Sequence, residues 1–215
     1  MKYNTIVFDM DGTLLNTLED LTDSVNYALQ ICGYTQRTLD EVRRFVGNGV
    51  RVLMNQAVPA GTSDEDIVKC LTIYRKHYSE NMQHKTRPYE GINELLKSLK
   101  EKDIKLAIVS NKYDSAVKAL CKDYFQDFIR IAIGESPEVD KKPAPDSVFT
   151  ALEQLGAVKE ESLYVGDSEV DVQTARNAGL KCIGVTWGFR DREVLAAEGA
   201  DIIIDRPQEL LEYLS

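Results

Sequence analysis

The chain has 215 residues, of which 43% are apolar, and its formal net charge is −9. This length and composition suffice for one substantial core, or for one core with a smaller added lobe. The negative charge argues against a nucleic-acid partner, because such a partner requires a basic surface. Because no segment approaches 18 uninterrupted apolar residues, we expect neither a membrane span nor a membrane partner.

The N-terminal segment and the cysteines both bear on the cellular compartment. The first apolar stretch ends in acidic residues and lacks a small-residue cleavage site, so we predict no signal peptide. The cysteines are widely separated and form no C-x-x-C pair: Cys32, Cys70, Cys121 and Cys182. We therefore expect all four to be reduced and the protein to be cytoplasmic.

The first predicted strand, residues 5–8, is followed by a long stretch without a second strand. Helical patterns within this stretch cover residues 18–31, 39–45, 50–57 and 64–81. A single crossover connection needs far fewer residues than separate the first two strands. We therefore predict a helical domain at residues 15–85, inserted into a core domain made of residues 1–14 and 86–215.

Beyond the insert, short apolar runs alternate with helical patterns. Strands are predicted at 105–109, 129–133, 163–165, 182–185 and 202–204, and helices at 91–101, 114–123, 146–155, 169–177, 192–198 and 207–214. This alternation is typical of a mostly parallel sheet with crossover helices. The predicted fold class is therefore α/β, with a Rossmann-like, mostly parallel sheet as the core and a small α-helical domain inserted into it.

Polar and charged side chains follow the first four predicted strands, at the point where each strand ends. They are Asp9 and Asp11, then Ser110, Asn111 and Lys112, then Lys141, Lys142 and Asp146, and finally Asp167 and Asp171. Ligands bind beyond the carboxyl ends of the strands in parallel sheets. We therefore expect these side chains to share one site.

The spacing of the acids predicts a metal site. Asp9 and Asp11 lie two residues apart on an extended exit, where Gly12 allows the chain to turn. Asp167 and Asp171 are four residues apart, so they share one face of a helix. Converging carboxylates repel one another unless a cation lies among them, and an all-oxygen ligand set without histidine or thiolate favours Mg²⁺.

Each of these features has a plainer explanation when taken alone. Asp11 and Gly12 suit a simple turn, Asp167 and Ser168 suit a helix cap, and the lysine pair suits an exposed bend. It is their recurrence after successive strands that favours a site. Lys142 and Ser110 would then supply the positive charge and the hydroxyl donor that a phosphate requires.

Four motifs together resemble those of the haloacid dehalogenase-like hydrolase superfamily. "DMDGTL", "VSNK", "KKPAPD" and "GDSEVD" occur in the order and at the spacing of that superfamily, and the helical insert resembles its small α-helical cap. Within the superfamily, "VGNG", "PYEGI", "KPAPD" and "VTWGF" are most similar to the phosphoglycolate phosphatase group. The resemblance covers essentially the whole chain.

The resemblance implies a role for each matching residue. Asp9 would be the nucleophile that forms an aspartyl-phosphate, and Asp11 would be the general acid and then the general base. The Mg²⁺ ion would be held by Asp9, by the backbone carbonyl of Asp11 and by Asp167, with Asp171 in the first or second shell. The transferring phosphoryl group would be bound by Ser110 and Lys142, aided by backbone N–H groups near Asp11 and Asn111.

The acid at position 11 also separates the branches of this superfamily. The dehalogenase and phosphonate-cleaving branches lack an acid there, so Asp11 favours phosphate monoester chemistry. Lys141 departs from the glycine of many relatives, which leaves its role beside Lys142 open. We expect a small phosphorylated metabolite, foremost 2-phosphoglycolate, as the substrate and a monomer or weak homodimer as the assembly.

Other functions stay open from the sequence. Within the superfamily, the alternatives are a phosphatase for pyrophosphate, a nucleotide or a sugar phosphate, or a β-phosphoglucomutase, which keeps both acids. From a different class, a phospho-receiver signalling domain also combines an acidic pair, a phospho-accepting Asp, a hydroxyl residue and a lysine. The order of the motifs and the long helical insert argue against a receiver.

Overall fold

The structure is a computed structural model, and it describes residues 3–137 and 139–214. The chain divides into two compact units, one made of Met1–Leu15 with Pro88–Ser215 and the other of Asn16–Arg87. We call them the α/β unit and the helical unit. The assignment of the helical unit as a cap stays a prediction.

The α/β unit contains one six-stranded sheet and its crossover helices. The strands are β1 (Thr5–Phe8), β4 (Lys105–Tyr113), β5 (Ile131–Glu135), β6 (Ser162–Gly166), β7 (Lys181–Val185) and β8 (Ile202–Ile204). The α-helices are α5 (Ile92–Glu101), α6 (Asp114–Phe125), α7 (Asp146–Leu155), α8 (Glu169–Ala178) and α9 (Arg192–Glu198). Two 3-10 helices, Lys159–Glu161 and Pro207–Tyr213, complete it.

The six strands run parallel in the order β5-β4-β1-β6-β7-β8. The first strand in sequence is therefore near the centre of the sheet, between β4 and β6. Both faces are covered, because Val7 belongs to a buried cluster with Val148 of α7 and Val172 of α8, whereas Ile6 and Phe8 point the other way and are equally buried. The predicted α/β fold with a mostly parallel sheet is confirmed.

The element bounds differ from the prediction at a few places. The second strand of the large sheet continues to Tyr113, so Ser110–Lys112 extend the strand instead of following it. The third is Ile131–Glu135, shifted two residues from the predicted 129–133. The predicted helix at 207–214 is a 3-10 helix. Two short strands, β2 (Leu15–Asn16) and β3 (Arg87–Pro88), pair with each other where the chain passes between the units. They were not predicted, because two residues are too few to show a strand pattern in the sequence.

The helical unit consists of α1 (Leu18–Ile31), α2 (Leu39–Phe45), α3 (Val50–Ala57) and α4 (Asp64–Asn81). Side chains fix where two of these helices begin: Thr38 and Glu41 form a reciprocal capping box at α2, and Ser63 accepts a hydrogen bond from the Asp66 amide at α4. Among the described residues, no helix has the length and apolarity to cross a membrane.

The expectation that all four cysteines are reduced is wrong for two of them. Cys32, at the end of α1, forms a disulfide with Cys70 of α4, whereas Cys121 and Cys182 are free and buried. The packing of α1 against α4 brings the two sulfurs together although 38 residues separate them in the sequence. Spacing along the chain cannot reveal such a pair.

Breaking the Cys32–Cys70 bond should destabilise the protein. A cross-link over a separation of 38 residues reduces the entropy of the unfolded chain, which corresponds to about 4 kcal/mol in the chain-entropy model. Dithiothreitol should therefore lower the free energy of unfolding of the wild type in urea, but not that of a Cys32→Ser, Cys70→Ser double variant. Equal stability of the wild type with and without reductant, together with four titratable thiols, would contradict the bond.

Candidate active site

Three neighbouring strands carry the predicted site residues to one edge of the sheet. Phe8 of β1 is aligned with Ile108 of β4 on one side and with Val165 of β6 on the other. The chain therefore reaches Asp9 at the level where the neighbouring strands reach their own polar ends. The Asp9 amide still donates a hydrogen bond to the Val165 carbonyl at 2.9 Å, which fixes its position.

Three carboxylates meet at this edge. Asp9, Asp167 and Asp171 each place a carboxylate oxygen within 4.8 Å of those of the other two, and all three residues are buried. We call them the acidic cluster. Like charges so close together are costly in a poorly solvated place, so the cluster requires positive charge nearby.

Lys142 supplies part of that charge. Its Nζ lies 2.8 Å from Asp9 Oδ1 and 2.8 Å from Asp171 Oδ1, and its side chain is only 3% exposed. Burial by itself would lower the pKa of Lys142, but the charges of Asp171 and Asp9 outweigh burial and raise it. Lys141 is exposed, so it is Lys142 that reaches the acidic cluster.

Asn111 holds the backbone of this lysine. The Asn111 side chain donates from Nδ2 to the Lys142 carbonyl at 2.9 Å and accepts from the Lys142 amide at 2.8 Å. This pair of bonds ties β4 to the loop that precedes α7. The side-chain amide of Asn111 thus positions Lys142. The predicted contact of Asn111 with a phosphate concerns its backbone N–H group instead.

Asp171 has all of its acceptor positions engaged. Its Oδ1 accepts hydrogen bonds from Lys142 Nζ at 2.8 Å and from the Tyr164 hydroxyl at 2.9 Å. Its Oδ2 accepts from the amide and the hydroxyl of Ser168. Burial raises the pKa of Asp171, but Lys142 and these hydrogen bonds outweigh burial and hold the pKa below its ordinary value.

The other two acids are less well compensated. Burial, with the charge of Asp171 added, raises the pKa of Asp167 well above its ordinary value. Burial also raises the pKa of Asp9 to about 7, although Lys142 opposes this shift. Asp9 Oδ1 is buried and accepts no well-directed hydrogen bond, even though Lys142 lies beside it.

These features fit a hard divalent cation. The donors are carboxylate oxygens only, and the deficit of positive charge is at Asp9 and Asp167 rather than at Asp171. Asp167 accepts one hydrogen bond at each oxygen, from Thr13 Oγ1 at 3.2 Å and from the Phe189 amide at 2.7 Å. Each of its oxygens therefore keeps a lone pair for a metal.

Asp11 is held apart from the acidic cluster. Its Oδ2 lies 3.1 Å from Nζ of Lys112, whose side chain is 3% exposed, whereas that of Asp11 is 12% exposed. The side chain of Asp11, which was predicted among the metal residues through its backbone carbonyl, is thus paired with a lysine. Lys112 belongs to the quoted "VSNK" motif, but sequence reasoning gave it no role.

Ser110 lies at the same edge and is buried. It follows Val109, the last residue of β4 before the register with β5 shifts, and its hydroxyl accepts a hydrogen bond from the Lys112 amide at 3.3 Å. The edge therefore combines an acidic cluster, a separate carboxylate, two buried lysines and a hydroxyl within the described residues.

A comparison with known proteins accounts for this combination. The family model of the haloacid dehalogenase-like hydrolases matches residues 6–185, a span that contains the acidic cluster, Asp11, Ser110, Lys112 and Lys142. The chain belongs to this family. The predicted resemblance to hydrolases of the phosphoglycolate phosphatase group is confirmed, since many curated relatives carry that name.

Individual relatives match this hydrolase over nearly its whole length. A phosphoglycolate phosphatase from Mesorhizobium japonicum is 34% identical over 208 residues, which cover 94% of this chain and 91% of that protein. One from Aquifex aeolicus is 31% identical over 210 residues, covering 97% and 95%. The crystal structure of a candidate phosphoglycolate phosphatase from Lactobacillus delbrueckii superimposes with a TM-score of 0.94 at 35% identity, covering 100% and 99% of the two chains.

The loop after β7 contains the quoted "VTWGF" motif, which served only as a mark of similarity, and its part in the hydrolase site was missed by sequence reasoning. It contributes the Phe189 amide to Asp167, and its Trp187 donates from Nε1 to the Thr13 carbonyl at 3.0 Å. The first bond connects the loop to Asp167, and the second connects it to the segment that follows Asp9. The site was predicted from the residues that follow the first four strands. The residues that follow the strand at 182–185 would have indicated this loop in the same way.

Glycines allow the backbone to come close to Asp167. A Cβ atom at Gly12 would lie 2.3 Å from Asp167 Oδ2, and one at Gly188 would lie 2.3 Å from Asp167 Cβ. Gly12 also has a φ of +87°, which L-residues rarely adopt. No larger residue fits at either position without displacing the carboxylate.

Gly12→Ala should therefore impair the site more than the fold. The matched control is Gly156→Ala, which also replaces a glycine of positive φ but has no atom within 4 Å of the new Cβ. Both variants should lose about 1–2 kcal/mol of stability from backbone strain. Only Gly12→Ala should lose at least about 90% of hydrolase activity, because its Cβ displaces Asp167. Similar activity in the two variants would contradict this role of Gly12.

Proposed function

We propose that this hydrolase is a Mg²⁺-dependent phosphatase that cleaves a small phosphate monoester through an aspartyl-phosphate on Asp9. The observation that carries the proposal is the position of Asp9, a buried carboxylate ion-paired to Lys142 within an all-oxygen acidic cluster. A carboxylate nucleophile splits hydrolysis into two easier steps, and both need a nearby proton carrier. Asp11, two residues further on and outside the cluster, is suited to that task.

The metal would be held by Asp9, Asp167 and the backbone carbonyl of Asp11. When bound, it would offset the negative charge of the phosphate and of the acids. Asp171 is a weaker candidate for direct ligation because both of its oxygens already accept two hydrogen bonds each. We infer that Asp171 acts mainly by holding Lys142.

In the first step, an oxygen of Asp9 attacks phosphorus, and the bond from phosphorus to the ester oxygen breaks. Asp9 Oδ1 is fixed beside Lys142, and the side chain keeps 10% exposure, which supports attack by its other oxygen. Protonated Asp11 gives its proton to the departing oxygen, so an alcohol leaves. The phosphoryl oxygens are bound by Lys142, the Ser110 hydroxyl and the backbone N–H groups near Asp11 and Asn111.

In the second step, Asp11 is a carboxylate and takes a proton from water. The oxygen of that water attacks phosphorus, the bond to Asp9 breaks, and inorganic phosphate is released. Asp9 returns as a carboxylate and Asp11 is again protonated, so the cycle closes. The Lys112 contact at 3.1 Å supports this role, because it keeps the Asp11 side chain directed away from the acidic cluster.

The substrate proposed first is 2-phosphoglycolate. The support comes from relatives that cover nearly the whole chain and are named phosphoglycolate phosphatase. A cytoplasmic location and a monomer or weak homodimer stay predictions from the sequence. The disulfide of the helical unit is evidence against a cytoplasmic location, because such bonds are rare in reducing compartments.

Asp9→Asn should abolish turnover while leaving the fold intact. The amide is nearly isosteric but cannot act as the nucleophile, and loss of such a group normally reduces turnover by a factor of at least about 10³. The measurement is phosphate release from 2-phosphoglycolate, with circular dichroism as the check on folding. Asp11→Asn should slow both steps without removing phosphate binding. Activity of Asp9→Asn above about 1% of wild type would contradict Asp9 as the nucleophile.

Removal of divalent cations should stop the reaction. Treatment with EDTA followed by gel filtration should leave less than about 1% of the activity, and Mg²⁺ should restore it because the ligand set consists of oxygens. A panel of 2-phosphoglycolate, pyrophosphate, a nucleoside monophosphate and β-glucose 1-phosphate would rank substrates in the same assay. Full activity after metal removal would contradict the proposed metal dependence. The absence of phosphate release from every ester would contradict the proposed phosphatase activity.

A further inference from the structure

A cavity of about 410 Å³ lies in the α/β unit and shares no lining residue with the acidic cluster. It is bounded by α6, by the segment that enters β5 and by Gln154 near the end of α7. β5 is the end strand of the sheet and pairs with β4 only, among the strands of the described chain. The cavity is therefore open at the side of the molecule where the sheet stops.

The wall of this cavity is basic. Lys118, Lys122 and Arg130 line it, and no acid is among its lining residues in the described part of the chain. Lys118 pairs with Asp114 at 2.6 Å, one helical turn away. Within residues 3–137 and 139–214, the structure gives the side chains of Lys122 and Arg130 neither a hydrogen bond nor an ion pair. Two of the three cations in this wall thus have no ion pair, and they provide local positive charge in a protein whose net charge is −9.

The floor of the cavity is apolar. It is formed by Ile129 and Ala132, which are buried, and by the buried thiol of Cys121. The Cys121 thiol is directed to the Ile129 carbonyl at 3.5 Å, and burial raises its pKa to about 11. The thiol therefore stays neutral near pH 7, so the floor adds no negative charge.

The cavity of similar size in the helical unit differs in this respect. It measures about 430 Å³ and is lined mainly by polar side chains, several of which already form hydrogen bonds within the protein. Asp20 accepts hydrogen bonds from the amides of Lys85 and Thr86, and Asn26 bonds to both backbone groups of Arg37. Those polar groups serve the fold, whereas Lys122 and Arg130 have no such duty.

We propose that the cavity beside β5 binds a small organic anion, with a carboxylate or phosphate group at Lys122 and Arg130 and an apolar body over Ile129 and Ala132. Its volume is in the range of small-molecule sites, and an apolar floor with a few polar groups at the rim is their usual composition. Arginine and lysine bind such anions through charge-assisted hydrogen bonds.

A second copy of this chain is a poorer occupant. Pairing two β5 strands around a two-fold axis would place one basic cavity against the other, so Lys122 and Arg130 of the two copies would repel. A small anion removes that repulsion instead of adding to it. The proposal does not depend on the function of the acidic cluster.

The test is an NMR titration of the ¹⁵N-labelled full-length protein. Phenylacetate and phenylphosphonate serve as the carboxylate and phosphate probes, and benzylamine serves as a cation with the same ring. We expect both anions to shift amide signals of residues 118–132, and we expect benzylamine to leave them unchanged. The two anion arms also show which headgroup binds more tightly. Residue-specific shifts distinguish this site from any binding at the acidic cluster.

Matched variants separate local charge from total charge. Lys122→Gln with Arg130→Gln should weaken binding of the preferred anion by about tenfold or more. Lys97→Gln with Lys181→Gln, two exposed lysines outside the cavity, should leave it unchanged.

Three outcomes would overturn the proposal. The first is the absence of shifts at residues 118–132 with both anions. The second is an equal response to benzylamine. The third is a concentration-dependent dimer that shifts the same signals without any added ligand, which would make a second copy the occupant.

Discussion

The structure of the site depends on one buried ammonium group. Lys142 Nζ lies between Asp9 and Asp171, at 2.8 Å from an oxygen of each, in a place where neither charge could be buried alone. Its backbone is fixed by Asn111, and the far side of Asp171 is fixed by Ser168. The ammonium group therefore extends from a fixed backbone to both carboxylates and connects them.

The parallel sheet makes this arrangement possible. β1 lies between β4 and β6, so Asp9, Ser110 and Asp167 come from three adjacent strands that end at the same edge. Glycines leave room where the backbone passes close to the carboxylates. At Gly166 a Cβ would lie 2.3 Å from the Asp171 side chain, which is why the chain can turn from β6 into α8 so close to that acid. Close approach of backbone and carboxylate is therefore a condition of the site.

Much of this could be predicted, because it depends on local patterns. Apolar runs gave the sheet, and the residues after them gave Asp9, Lys142 and Asp167. What could not be predicted depends on distances between remote residues. The pairing of Lys112 with Asp11 requires that β4 continue beyond Val109, and nothing in "VSNK" separates a strand from a loop. The Cys32–Cys70 bond likewise depends on how α1 and α4 pack.

The net charge of the chain bears on both proposed binding places, because each would take an anion. The mean field of a net charge of −9 repels them, so binding requires cations that are local and not already neutralised. In the acidic cluster, Lys142 is shared between two carboxylates, and the proposed function draws the added charge from a metal. Beside β5, no acid lines the cavity, and the side chains of Lys122 and Arg130 form no ion pair in the described chain. The two proposals thus rely on opposite sources of positive charge: the acidic cluster would take up a metal cation, and the cavity beside β5 would use its own lysine and arginine.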